Sequence, residues 1–287
     1  MTMPGICRLP IVLSDLAVSW AAESLPQRMI PFGVWEAECQ SFDLEVSVES
    51  SREALIFPGG GLSIGVSSFV RRVDGSLLAW NDYREHPERS ALLELPSSGR
   101  ALIRCGPKTS KCSVLNMLFL AFQPVVARNN GLVLHASLVE YEGRAVAFTA
   151  SSGTGKSTQA DLWHEHLGAE IMNGDRAFVR RFDDEWRAYG SPWAGSSPYI
   201  KNVKAPLAGI VVLKQAPENR IRRLNAAEVM AYLYNNVRYP FWDEEATAAS
   251  LETLDALVRE IPIFLLECRP DEEAVQITRD AIFGGRD

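Results

Sequence analysis

Basic residues are in deficit along this 287-residue chain: 29 lysines and arginines stand against 36 aspartates and glutamates, for a net charge of −7. That balance argues against a general binder of nucleic acid or of anionic membranes, both of which draw on a surplus of cations. Cysteines are few and odd in number. Cys7, Cys39, Cys105, Cys112 and Cys268 are scattered and form no CxxC pair. They read as free thiols of a reducing compartment, not as a disulfide framework or a zinc site. No stretch nears the roughly 18–20 apolar residues of a membrane span. The opening "MTMPGICRLPIVLSDLAVSW" lacks a basic start, a long apolar run and a small-residue cleavage site, and so does not read as a targeting segment. Internal repeats and low-complexity tracts are also missing. The expectation is a soluble, cytoplasmic protein, with 47% hydrophobic and 23% charged residues, enough to bury a real core.

What is present falls into two patterns, with a boundary set at residues 109/110. Residues 1–109 read as a small β-rich domain. "FDLEVSVES" alternates with period two, Asp74-Gly75 is a hairpin signal, and "SSG" separates "SALLELP" from "RALIRCG". Five or six short strands predict a small antiparallel sheet or sandwich. Residues 110–287 read as α/β, giving an α+β protein overall. A helix starts near Ser110, with Pro124 expected to kink or restart it. Strands follow at "LVLHASLVEY" and "RAVAFTA", a helix from Lys156 to about Leu167, a hairpin tipped by Asp183-Asp184, and a long buried strand in "APLAGIVVLKQ". Helices are expected over 226–237 and 244–260, then a strand in "PIFLLEC" and a last amphipathic helix with acids in its first turn.

The chemistry is concentrated in "TASSGTGKST", between a strand and a helix. A phosphate-binding loop needs backbone N–H groups facing an anion at a helix start. Gly153 and Gly155 give the backbone that freedom. Lys156 supplies charge for the β- and γ-phosphates, and Ser157 a hydroxyl for Mg²⁺. Ser152, Thr154 and Thr158 complete the nucleotide-binding stretch. One departure is visible: Ala150 stands where the standard loop opens with glycine. Other candidate signals are weak. His164 and His166, two apart on a helix, face different directions and suit one metal poorly.

"HASLVEYEGRAVAFTASSGTGKST" followed by "EIMNGDRAFVRR" resembles the HPr kinase/phosphorylase family and its relatives on the phosphoenolpyruvate-carboxykinase-like fold. "YGSPWAGSSPYIKNVKAPLAGIVVLKQ" is similar to the HPr-kinase-related peptide kinases of ribosomal peptide pathways. The resemblance covers about residues 110–283 in order and spacing. It implies an ATP- and Mg²⁺-dependent kinase whose acceptor is a hydroxyl, such as a serine of a peptide or small protein. It also implies a place near the γ-phosphate for His135, which would orient the hydroxyl or accept its proton. Asp175, at the end of a strand, is the acidic partner for Mg²⁺, the general base, or both. The family usually has two adjacent aspartates here, whereas this chain has Gly174-Asp175. Arg176 is a candidate phosphate contact, Trp193 a candidate wall for the acceptor or base, and Lys201, with Asn202 and Lys204, a candidate holder of phosphate or an acidic tail. A small-molecule hydroxyl as acceptor, and a nucleotide-binding regulator that has lost transfer, are the competing readings. For the N-terminal domain the expected roles are acceptor presentation or a homo-oligomer contact.

Overall fold

The computed structural model describes residues 7–13, 15–22, 43–97 and 99–284. Residues 1–6 and Cys39 lie outside that set. The chain divides into two compact units, Met1–Val125 with Pro240–Glu244, and Val126–Tyr239 with Glu245–Asp287. Among the described residues there are two eight-stranded sheets and five α-helices, a mixed α/β architecture.

The first unit is built on β1 (Cys7–Leu13), β2 (Leu16–Ala22), β3 (Leu44–Ser50), β4 (Leu62–Ile64), β5 (Ser67–Arg71), β6 (Leu77–Asn81), β7 (Ala91–Ser97) and β8 (Arg100–Cys105). Alternation holds where it was read: Leu44, Val46 and Val48 are buried while Glu45, Ser47 and Glu49 face outward. The Asp74-Gly75 turn joins β5 to β6, with Asp74 accepting from Ser76 N and Oγ. The sheet is nevertheless larger than expected and not purely antiparallel. Its order is β1-β2-β3-β8-β7-β6-β5-β4, and β3 runs parallel to both β2 and β8. Hairpin signals report only pairings between sequence neighbours. The β3–β8 pairing joins segments about fifty residues apart, and no local pattern encodes it.

Helix α1 (Lys111–Arg128) begins in the first unit and ends in the second. It runs through Pro124 without restarting. Proline costs the helix one donor, and burial of Phe119, Leu120, Phe122, Val125 and Val126 offsets that loss.

The second unit contains β9 (Gly131–Tyr141), β10 (Arg144–Thr149), α2 (Lys156–Leu167), β11 (Glu170–Asn173), β12 (Arg176–Phe182), β13 (Glu185–Tyr189), β14 (Lys204–Gln215), β15 (Arg220–Arg223), α3 (Ala226–Leu233), α4 (Glu244–Glu260), β16 (Ile263–Cys268) and α5 (Glu272–Phe283). Strands β10, β14 and β16 are parallel neighbours. The long strands β9 and β14 each serve three partners. The first half of β9 pairs with β12, and its second half with β10 and β11. β14 pairs first with β13 and then with β10, so hydrogen bonding runs β10-β9-β12-β13-β14 and back to β10. One core lies under α2 and α5, where Phe148, Ala160, Trp163, Val211 and Val275 pack. The other gathers Leu134, Leu138, Ile210, Val229, Leu254 and Leu257. In α2 the buried positions are Lys156, Gln159, Ala160 and Trp163, one face at helical spacing. Gly168, in the left-handed region at φ 67°, ends the helix by donating to His164 O. Among the described residues no helix is long and apolar enough to cross a membrane.

Candidate active site

The site forms where β9 changes partners. His135 is the last residue of β9 opposite β12, across from Arg176, and Ala136 is the first opposite β10, across from Thr149. Three bonds fix this crossing. Thr149 Oγ1 donates to His135 O (3.0 Å), Ala136 N to Asp175 O (3.0 Å), and Ser137 Oγ to Gly174 O (3.1 Å). The glycine-rich loop leaves the carboxyl end of β10, the customary ligand side of a parallel sheet, and β11 gives way to β12 at Gly174-Asp175.

The loop has the geometry that phosphate binding needs. Gly153 and Gly155 hold φ of 78° and 114°, values that favour glycine, and Gly155 caps α2. Ala150 takes the place of the usual first glycine without strain. It is buried in the core under α2 and is not among the residues with positive φ. Its carbonyl, with that of Ser151, accepts from Lys156 Nζ at 3.2 and 3.4 Å. Lys156 is only 8% exposed. Burial pulls its pKa down and Arg238 adds to that pull, while the charge of Asp175 opposes them. The ammonium is therefore held desolvated among neutral carbonyls, a setting that favours an anion beside it. Ser157 and Thr158 are exposed in the first turn of α2.

Asp175 faces this lysine as part of a polar cluster. Its Oδ1 lies 3.3 Å from His135 Nε2, and its Oδ2 lies 3.6 Å from Arg176 Nε. The hydrogen bond from His135, then the charges of Arg176, His135 and Arg238, hold its carboxyl below the usual value of 3.8 against the opposing effect of burial. Burial likewise lowers the pKa of Arg176. His135, Ser152, Gly153, Gly155, Lys156, Ser157, Thr158 and Asp175 all line one cleft of about 500 Å³. The two other weaker candidates and Arg176 are placed differently. Trp193 is buried with its ring centroid 5.6 Å from that of Phe178, anchoring the loop whose next residues reach the cleft. Lys201 pairs with Glu170 at 2.5 Å, and neither it, Trp193 nor Arg176 is among the lining residues. Thr154 lies on the opposite side of the loop, where Gln215 Nε2 donates to its carbonyl and a second hollow is lined by Leu213, Cys268 and Pro270.

Sequence reading missed several residues that build the site. Arg238, exposed just after α3, acts electrostatically on Lys156, Asp175 and Arg176, and no motif marks it. Ser196, Ser197 and Tyr199 line the cleft; all three lie in "YGSPWAGSSPYIK", where no local pattern tells which side chains turn inward. Asn173 is the organising residue. Fully buried, it accepts at Oδ1 from Asp175 N (2.9 Å) and Arg176 N (2.8 Å), and donates from Nδ2 to Ser191 O and Oγ, both at 3.0 Å. One amide thus shapes the Asp175 turn and ties it to the Trp193 loop. Asn173→Ala leaves two backbone N–H groups without their acceptor, and the expected loss in urea unfolding of the full chain is about 2–4 kcal/mol. Asn173→Asp should also lose stability, because it sets a carboxylate oxygen against the Ser191 carbonyl in a fully buried site; equal stability of Asn173→Ala and the parent would remove Asn173 from this role.

Among the described residues no cluster of three or more His, Cys, Asp or Glu side chains assembles a metal site. Mg²⁺ is commonly held by one or two carboxylates together with substrate phosphates. Ser157 and Asp175 supply hard oxygen donors in the cleft. No curated protein matches the chain. Among solved structures, the HPr(Ser) kinase/phosphatase from Coxiella burnetii is similar to it at 9% identity and a TM-score of 0.30, over 50% of this chain and 90% of that one. A likeness at that level has no bearing on activity. The family model of ScmC, the SynChlorMet cassette protein, matches residues 106–271. With more than half of its length so matched, and with the phosphate loop, His135 and the Asp175 turn all inside that span, the chain belongs to the ScmC family.

Proposed function

We propose that this protein is an ATP- and Mg²⁺-dependent kinase on a phosphoenolpyruvate-carboxykinase-like domain, transferring the γ-phosphoryl group to a hydroxyl. The acceptor is a serine of a peptide or small protein. The observation that carries this reading is the cleft in which a buried Lys156, on a glycine-rich loop at a helix start, faces the Asp175–His135 pair. Phosphoryl transfer asks a protein mainly for positioning and charge neutralisation. Lys156 and the amides of Gly153 and Gly155 cradle the phosphates. Mg²⁺, held by Ser157 and Asp175, neutralises phosphate charge when bound. His135 orients Asp175 and the incoming hydroxyl, and the ionised Asp175 takes the hydroxyl proton.

A second reading, a nucleotide-binding regulator without transfer, has one observation in its favour. Gly174 stands where the resembled kinases have a second carboxylate, and Ser197 fills the space its side chain would need. A single preparation separates the two. Calorimetry with ATP and Mg²⁺ measures binding, and γ-labelled ATP with candidate peptides or a small-molecule panel measures transfer. Binding with transfer is the expected result. Binding without label on any acceptor, or on the chain itself, would select the regulator, and absence of binding would end both readings.

A further inference from the structure

The loop that crosses Gly174 carries an inference beyond nucleotide binding. An ideal Cβ at Gly174 would stand 2.2 Å from both Cβ and Oγ of Ser197, so the serine occupies the volume that a side chain at 174 would take. Two residues earlier the same loop passes close to the candidate base. A Cβ at Gly195 would lie 3.1 Å from Cγ and from Oδ2 of Asp175. Short-range bonds hold this arrangement: Ser197 N donates to Ala194 O at 2.9 Å, and Tyr199 N donates to Ser197 Oγ at 3.3 Å. The Ser197 oxygen therefore accepts from the main chain, and its own O–H remains available as a donor. Ser197 is half-buried and lines the cleft with Lys156, Ser157, His135 and Asp175. The chain has thus set one of its own primary alcohols on the wall of the cleft that Lys156 and Asp175 also line.

We propose that Ser197 is a phosphoryl acceptor in cis, so that the protein phosphorylates its own cleft loop. This rests on the kinase reading above. Ser197 Oγ forms a bond to the γ-phosphorus of ATP as the bond from that phosphorus to the β–γ bridging oxygen breaks. ADP leaves with the bonding pair, and the hydroxyl proton passes to the Asp175 carboxylate. The product has a built-in consequence. Phosphoserine carries about −1.5 to −2 charges at neutral pH, and Ser197 already packs against Gly174, where even a Cβ would stand 2.2 Å from it. Bulk and repulsion from Asp175 lift the loop away from Gly174 and leave the cleft open to an external acceptor.

The test uses the full chain with γ-labelled ATP and Mg²⁺, phosphosite mapping by mass spectrometry, and calorimetric titration of the same preparation with ATP and Mg²⁺. The expected result is phosphate on Ser197 approaching about one per chain, at a rate constant independent of protein concentration. Ser197→Ala loses that label. Ser197→Thr preserves the hydroxyl and yields phosphothreonine, which guards against a variant that merely disturbs the loop. ATP that binds while Ser197 stays unmodified overturns this proposal and leaves the nucleotide reading standing. A rate that rises in proportion to protein concentration overturns the cis route. Failure of ATP to bind at all overturns the kinase reading, and this proposal with it.

Discussion

Lys156→Met will cut phosphoryl transfer by about two to three orders of magnitude without weakening the fold. Methionine keeps the buried aliphatic stem of Lys156 and removes the charge. The expected loss in kcat is about 10²–10³-fold, the scale seen when one preorganised electrostatic partner of a transition state is deleted, with weaker ATP binding alongside. Stability should move the other way. A lysine whose folded pKa lies below its unfolded value, as burial makes it here, penalises the fold at neutral pH, and that penalty disappears only at alkaline pH, once the unfolded chain also loses the proton. Removing the charge removes the penalty, so the midpoint of thermal unfolding at pH 7 should be no lower than that of the parent. Such residues trade stability for function. Unchanged ATP affinity and turnover in a folded Lys156→Met protein would sink the assignment of the loop as a phosphate site.

Asp175→Asn is the second large effect. The amide matches the carboxylate in shape but can neither accept the hydroxyl proton nor ligate Mg²⁺ with full charge. Loss of a positioned acid–base group costs about 10²–10⁴-fold, and we expect kcat to fall within that range while ATP affinity measured without metal stays within about twofold. The pH behaviour follows from the lowered carboxyl pKa. A depressed folded value means that Asp175 stabilises the fold above its unfolded pKa, and that this contribution is lost as pH falls through the folded value. The parent should therefore exceed Asp175→Asn in unfolding stability at pH 7, and the gap should close below about pH 4. Transfer by the parent should show no inflection from Asp175 in the neutral range. A gap that does not narrow at all as the pH falls below about 4 would mean that contacts other than the ionised carboxylate account for it.

The phosphate loop was readable because its requirements are contiguous: two glycines in left-handed backbone, a lysine and a hydroxyl at a helix start. Strand alternation, the Asp74-Gly75 and Asp183-Asp184 turns, and helices α2, α4 and α5 were readable for the same reason, since each rests on residues a few positions apart. Asp175 was legible from its place at a strand end one helix after the loop, whereas His135 came mainly through resemblance. Asn173 stands in "EIMNGDRAFVRR" with no sign that its amide ties two loops together. The parallel pairings of β3 left no local trace either.

The linear chain by itself determined that a glycine-rich cradle would form between β10 and α2, because backbone conformation and helix start are set by near neighbours. Only the tertiary structure decided what faces that cradle. β9 changes partners at His135, Arg238 comes within electrostatic reach from the end of α3, and the 190–199 loop settles on Gly174 with Ser197 in the space of the absent side chain. These meetings join residues 20 to 100 positions apart, and they follow from sheet pairing and from the filling of volume, which no stretch of sequence expresses alone.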